Sequence, residues 1–453
     1  MNKSTSNLII LYAFCIFSAL NYGSMLTNTP IEMMNYYAEK THFNKDNPTI
    51  ISFIATAASF GAAFAQVTLE QINKLMSQKK QFYLYIVTTV ISNCLTCIPV
   101  HYGYLIVMRF LTGWSTGSYF SLIPIFVNNS TTPKQRGVLM TIYNIFINLG
   151  LLLGYATNLL IASVGYSHFY VFYIVCAILS TLIGITNYFI QPVAEIQPET
   201  SVEVPIIKEV SNIDDTNSIP NPSNLELKDS NSVPNYTNED EVYQYTKKQK
   251  VRMVVISVLL GTVQMTTGIT SMLTYASLIF SDVFASSYSG IYGSMIIGAT
   301  NTLGVVIALP LIQRIKRKTI LSIGLFGTVL TNITLSIVFS IMKDGDAKNN
   351  VIISIFVLFT LFYQLAPGPV ILILCGEIFP KEFKVKYGAV GFGFNWSWNI
   401  LVVFTYKYFS GVEYIVHALY AAITFVLSAI LLFLVPETLN KKQNEINRQI
   451  QKW

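Results

Sequence analysis

Apolar residues come in long runs along this chain, and polar residues gather in short clusters between them. A helix that crosses the hydrocarbon core of a bilayer needs roughly 20 mostly apolar residues. The pattern predicts twelve such spans, at 7–29, 48–70, 81–101, 103–128, 137–163 and 167–190, then at 251–280, 288–313, 319–342, 350–376, 386–409 and 414–436. The expected fold class is all-α, a polytopic membrane protein. Between the sixth and seventh spans the pattern stops. Residues 191–250 are rich in Asn, Ser, Pro, Glu and Asp and hold no long apolar run. Such a segment cannot bury enough surface to offset its ordering entropy. The chain thus reads as an N-terminal six-helix half (1–190), a disordered cytoplasmic loop (191–250), a C-terminal six-helix half (251–440) and a cytoplasmic tail (441–453).

Composition agrees. Of 453 residues, 52% are hydrophobic and only 11% charged, against roughly 25% charged in a soluble domain. The net charge of +6 would suit a nucleic-acid binder, but its distribution says otherwise. With the amino end in the cytoplasm, the cytoplasmic loops hold Lys74, Lys79, Lys80, Lys134, Arg136, Arg314, Lys316, Arg317, Lys318, Lys381, Lys384 and Lys386. The opposite loops hold Lys40, Lys45, Lys343 and Lys348. That asymmetry is the positive-inside pattern. The expectation is an integral protein of the plasma membrane, with lipid and a small molecule as partners, no nucleic acid, and both termini in the cytoplasm. The first run is too long for the apolar core of a signal peptide and lacks a small-residue cleavage site, so it reads as the first helix.

Candidate covalent chemistry is sparse. Cys94 and Cys97 form a C-x-x-C inside a span, which reads as two small apolar residues on one helix. The four histidines form no ligand cluster. No metal, cofactor or catalytic constellation is expected, and the chain does not read as an enzyme.

Six spans, a linker and six spans is the plan of carriers built from two pseudo-symmetric halves with a site at mid-membrane. Basic turns echo it, with Lys79–Lys80 after the second span and Arg314–Lys318 after the eighth. The segment RFLTGWSTGSYFSLIPIFVNNSTTPKQRG at 109–137 resembles the fourth-span signature of the sugar porter family of the major facilitator superfamily. Arg109, Gly113, Gly117, Pro124, Phe126, Arg136 and Gly137 fit, and Asn129 stands where that family has Glu. APGPVILILCGEIFP at 366–380, NWSWN at 395–399, VPET at 435–438 and QRIKRKTILSIG at 313–324 are similar to later motifs of the same family. NYGSMLTNTP in the first span is similar to facilitative glucose transporters. QPVAE after the sixth span departs from the family's pattern. The resemblance implies the major facilitator fold and transport of a hexose-like sugar by alternating access.

Neutral amides suit a carrier, because one hydrogen bond contributes only about 0.5–1.5 kcal/mol net and several select a solute without trapping it. Asn395 and Asn399 are spaced i, i+4 and share a helical face, with Trp396 beside them. Helix–helix packing by amides is the other reading of that spacing. Gln264, Thr267, Ser271 and Thr274, at offsets of 0, 3, 7 and 10, form one polar stripe along the seventh span, which reads as facing a cavity because lipid cannot satisfy it. By the resemblance, Gln264 and Trp396 are sugar contacts, Asn144 takes the place of a family Gln, Asn301 matches a family Asn, and Gln364 stands where facilitative transporters have Glu. Met265, Thr270 and Leu372 replace family Gln, Asn and Trp. The resemblance also assigns Tyr275 to an outer gate. Arg136, Arg317 and Lys384 are expected to pair with Glu377 and Glu437 in a cytoplasmic latch. Proton-coupled members resemble one another in a first-span Asp, and Gly23 stands there instead. No Asp or Glu falls at mid-depth of a span, so the expected transport is facilitated diffusion. A carrier of a polyol, nucleoside or organic ion, and a non-transporting sugar sensor, are the alternatives.

Overall fold

The computed structural model describes residues 3–27, 31–41, 47–131, 133–190, 245–274, 287–343, 345–409, 411–441 and 443–452. The expected loop at 191–250 falls outside these residues up to 244, and so does Tyr275. Within the helices, the side chains of Asn129, Arg136 and Lys384 are also outside the description.

The fold is all-α. In the first half the helices are α1 (Lys3–Leu26), α2 (Ile31–Thr41), α3 (Pro48–Leu75), α4 (Gln78–Thr96), α5 (Tyr102–Ser130), α6 (Pro133–Val164) and α7 (Tyr170–Phe189). The second half holds α8 (Lys247–Thr266), a further helical stretch at 269–274, α9 (Ser287–Arg314), α10 (Arg317–Ile341), α11 (Asp346–Leu365), α12 (Pro367–Glu377), α13 (Lys381–Tyr406), α14 (Glu413–Leu434) and α15 (Gln443–Gln451). Twelve membrane-crossing segments follow, with α11 and α12 forming one broken span and α8 with 269–274 another. Eight of the spans are long and apolar enough to cross a bilayer on length and composition alone. The spans built on α4, α5, α8 and α13 carry more polar side chains, and much of that polarity is buried against other helices.

Local chemistry sets the helix starts. Asn47 caps α3 by accepting from Thr49 N–H at 2.9 Å, with Pro48 at the first helical position. Thr246 and Gln249 form a reciprocal capping box at α8 (2.9 and 3.3 Å). Two short helices lie outside the twelve expected spans. In α2, Tyr37 is buried and its hydroxyl donates to Thr96 O at 2.5 Å. In α15, within the stretch expected as a tail, Ile446 and Ile450 insert into the core of the second half.

The halves meet along two helix pairs, α3 against α13 and α6 against α9. These are the second and eleventh spans and the fifth and eighth, related by the internal repeat. We call the end where α1 begins the near end and the opposite one the far end.

Candidate substrate site

The seven side chains singled out from the sequence for cargo binding are all buried. Two hydrogen-bonded groups hold five of them. In the first, Gln364 at the last turn of α11 donates to Asn148 Oδ1 of α6 (2.9 Å) and to Asn301 Oδ1 of α9 (3.0 Å). Asn148 in turn donates to the Asn144 carbonyl (2.9 Å) and to Asn144 Oδ1 (3.3 Å). In the second, Asn395 of α13 donates to Gln264 Oε1 of α8 (2.8 Å) and to Gly261 O (3.2 Å). Gln264 donates to the Pro367 and Gly368 carbonyls, both at 3.3 Å. Those carbonyls lie just past the break between α11 and α12.

Trp396 and Asn399 face the first half. The Trp396 ring meets Tyr22 of α1 edge-on, with centroids 6.4 Å apart, and Tyr22 stacks on Phe120 at 4.3 Å. Asn399 accepts from Ser59 of α3 at 2.6 Å and donates to Met265 Sδ at 3.7 Å. Among the described residues, Asn144 Nδ2, Asn301 Nδ2, Gln364 Oε1 and Trp396 Nε1 are buried and without a hydrogen-bond partner. A buried polar atom left unpaired costs about 1–3 kcal/mol. Four such atoms fall among the seven side chains singled out from the sequence.

Other expected residues have different surroundings. Thr267 and Ser271 use their hydroxyls on the protein, Thr267 on Gln264 O (2.8 Å) and Ser271 on Val402 O (3.1 Å) and the Tyr420 hydroxyl (3.0 Å). Gly268, at φ +86°, breaks the helix between them. Arg109 is buried in the first half, where its Nε donates to Ile54 O at 2.7 Å. At the near end Arg317 pairs with Glu377 at 3.4 Å, and its guanidinium also donates to Ile312 O. Thr438 donates to the other Glu377 oxygen at 2.6 Å. Among the described residues Glu437 pairs with no cationic side chain, and the side chains of Arg136 and Lys384 lie outside them. Glu437 accepts from the Arg317 and Lys318 backbone N–H groups (2.9 and 3.2 Å), capping α10, and from Thr438 and Leu439 N–H (3.1 and 3.0 Å). Burial raises the pKa of its carboxyl, but the four N–H donors outweigh that and hold it below the ordinary carboxylate value. These contacts all lie within the second half.

Sequence reasoning missed Asn148 and Ser59, the first-half partners of Gln364 and Asn399. For Asn148 a signal existed, since it stands four residues after Asn144 on the same helical face. For Ser59 there was none, because its partner is 340 residues away.

The family profile described as sugar (and other) transporter matches residues 8–450. The chain belongs to that family. It is a membrane carrier and not an enzyme. The hexose transporter HXT14 of Saccharomyces cerevisiae (strain ATCC 204508 / S288c) is 22% identical over 437 residues, which cover 88% of this chain and 77% of the relative. The galactose-proton symporter of Escherichia coli (strain K12) is 22% identical over 407 residues, 88% of this chain and 86% of the relative. Among solved structures, that of a D-xylose-proton symporter superposes with a TM-score of 0.71 at 17% identity, over 96% of this chain and 99% of that one. That likeness shows the carrier's fold, the major facilitator arrangement of two six-helix halves.

Proposed function

We propose that this carrier moves a hexose-like sugar by facilitated diffusion, alternating access to the amide groups between its halves. The observation that carries the reading is the seam itself. Buried amides from both halves leave two donors and one acceptor without a partner among the described residues, and the Trp396 N–H of α13 has none there either. An indole offers a flat apolar face for sugar C–H groups and a donor for a hydroxyl. Relatives named for hexose and for galactose support the substrate class. On this reading Asn144, Gln264, Asn301, Gln364, Asn395, Trp396 and Asn399 contact the cargo. Tyr275 serves an outer gate, and Arg136, Arg317, Lys384, Glu377 and Glu437 serve a near-end latch.

Coupling to protons needs a titratable group that each side reaches in turn. Among the described residues the buried charged side chains are Arg109 and Arg317, with no Asp or Glu. Gly23 packs backbone to backbone on α6, and a side-chain carbon there would run into the Ile147 carbonyl. A carboxylate has no room at that position. These points support uniport. The excess of Lys and Arg in the loops assigned to the cytoplasm supports cytoplasmic termini, and the plasma membrane is the membrane we propose.

The test is uptake of a radiolabelled hexose and polyol panel by proteoliposomes, with and without an imposed pH gradient. Saturable hexose uptake that ignores the gradient is expected. Sugar-induced alkalinisation of the medium overturns uniport, and a panel in which only polyols enter overturns the hexose assignment.

A further inference from the structure

Asn148 is an unassigned residue at the centre of the site. It sits on α6, is 4% exposed, and spans the seam to Gln364 at 2.9 Å. Gln364 occupies the last turn before the break at Ala366–Pro367, so the bridge ties the first half to the place where the tenth span bends.

The direction of each hydrogen bond fixes which atoms remain free. Gln364 Nε2 has two N–H groups, and both are engaged, by Asn148 Oδ1 and Asn301 Oδ1. Its Oε1 is therefore turned away from both partners and is unpartnered among the described residues. Asn148 Nδ2 donates to Asn144 O and Oδ1, which leaves Asn144 Nδ2 free. Asn301 gives its oxygen to Gln364 and keeps a free Nδ2. The chain of four amides thus shows a cargo two donors and one acceptor. A hydroxyl both donates and accepts, so neighbouring hydroxyls on a neutral ring match this set. A carboxylate brings no donor for Gln364 Oε1.

We propose that Asn148 is a positioning residue for cargo recognition: it aligns Gln364 so that the amide chain reads two adjacent hydroxyls of the solute. The inference rests on the sugar reading above and specifies its chemistry as a vicinal diol. Without Asn148, Gln364 keeps one of its two N–H bonds, that to Asn301, and can pivot about it, so that its Oε1 no longer faces the hydroxyl it accepts from.

The experiment measures binding to purified protein by quenching of tryptophan fluorescence, with a parent hexose and its series of monodeoxy analogues. The variants are Asn148→Leu, Gln364→Leu and the double. Asn148→Leu is expected to weaken the parent sugar about three- to tenfold, the equivalent of one hydrogen bond. Its penalty should vanish for the analogue that lacks the hydroxyl read by Gln364 and persist for the others. Adding Asn148→Leu to Gln364→Leu should change affinity less than twofold. A merely structural role would lower affinity evenly around the ring and add fully in the double variant, and either result overturns the proposal. Asn148→Ser, too short to reach Gln364, replaces Asn148→Leu if the leucine variant is not monodisperse, with the same expected profile. Wild-type protein that binds no sugar in the series sinks the sugar reading and this inference together. Wild-type binding with an even penalty sinks this inference alone.

Discussion

At the residue scale the site rests on side chains whose polar atoms are only partly satisfied. Trp396 is the clearest case. Its ring is 6% exposed and belongs to the apolar cluster of the first half, while its N–H finds no partner among the described residues. Two substitutions separate these parts. Trp396→Phe keeps an aromatic face and removes the donor, so KM for the transported sugar should rise by about two- to tenfold, one hydrogen bond's worth. Trp396→Ala also removes the stacking surface and should raise KM by more than tenfold. Initial-rate uptake in proteoliposomes checks both, and equal effects would mean that the indole N–H contributes nothing. The i, i+4 spacing made Asn395 and Asn399 legible from sequence. What spacing could not tell is that their partners differ. Asn395 is held inside its own half by Gln264, while Asn399 reaches across to Ser59. That distinction exists only once distant helices are brought together.

At the element scale, interruptions matter more than the helices themselves. The sequence shows the Pro367–Gly368–Pro369 break, because proline removes a helix hydrogen bond. The break at Gly268 was hidden, since a polar stripe at helical spacing runs straight through it. The structure compensates the interruption with side chains. Asn332 of α10 donates to Thr267 O at 3.1 Å, and its Oδ1 lies 2.9 Å from His417 Nδ1 of α14. His417 is fully buried and stacks with Phe339, centroids 5.5 Å apart. Asn332→Leu is expected to strand both Thr267 O and His417, at about 1–3 kcal/mol for each buried group. Its thermal unfolding midpoint, read by fluorescence-detected size exclusion, should fall by several degrees, whereas Asn332→Gln should recover part of the loss. At the near end, Glu437 caps α10 through a carboxylate whose pKa is depressed. A depressed carboxyl stabilises the fold above its unfolded pKa and loses that contribution as pH falls through the folded value. Glu437→Gln should therefore destabilise the carrier at neutral pH, and the gap to wild type should narrow below about pH 4.5. A gap that is constant between neutral and acid pH would rule out this role. The short helices α2 and α15 were illegible for another reason: each presents few apolar residues amid charge, and only their burial reveals them.

At the scale of the whole molecule, twelve spans and two halves follow from hydropathy and charge, because a bilayer allows few alternatives. Which end is shut does not follow, since both states of an alternating carrier share one sequence. Here described residues of the two halves touch at the far end. Tyr155 of α6 donates to Leu273 O at 2.8 Å, and the Thr49 and Tyr408 hydroxyls lie 2.9 Å apart. Phe53 and Phe404 meet edge to face with centroids 5.2 Å apart. Each of these contacts joins one half to the other, so each must break when the halves rock to open that end. Two hydrogen bonds at about 0.5–1.5 kcal/mol each hold roughly 1–3 kcal/mol of the preference. The combination Tyr155→Phe with Tyr408→Phe keeps both rings and removes both hydroxyls. It should shift the equilibrium about five- to 150-fold toward the state open at the far end. A reporter is a single cysteine at Ser59, on the seam below these contacts, in a background with the native cysteines replaced. Its reaction rate with a membrane-impermeant thiol reagent added from the far side should rise in the double variant, while reactivity from the near side should fall. A change on neither side would mean that closure of the far end rests on its apolar contacts rather than on these hydroxyls.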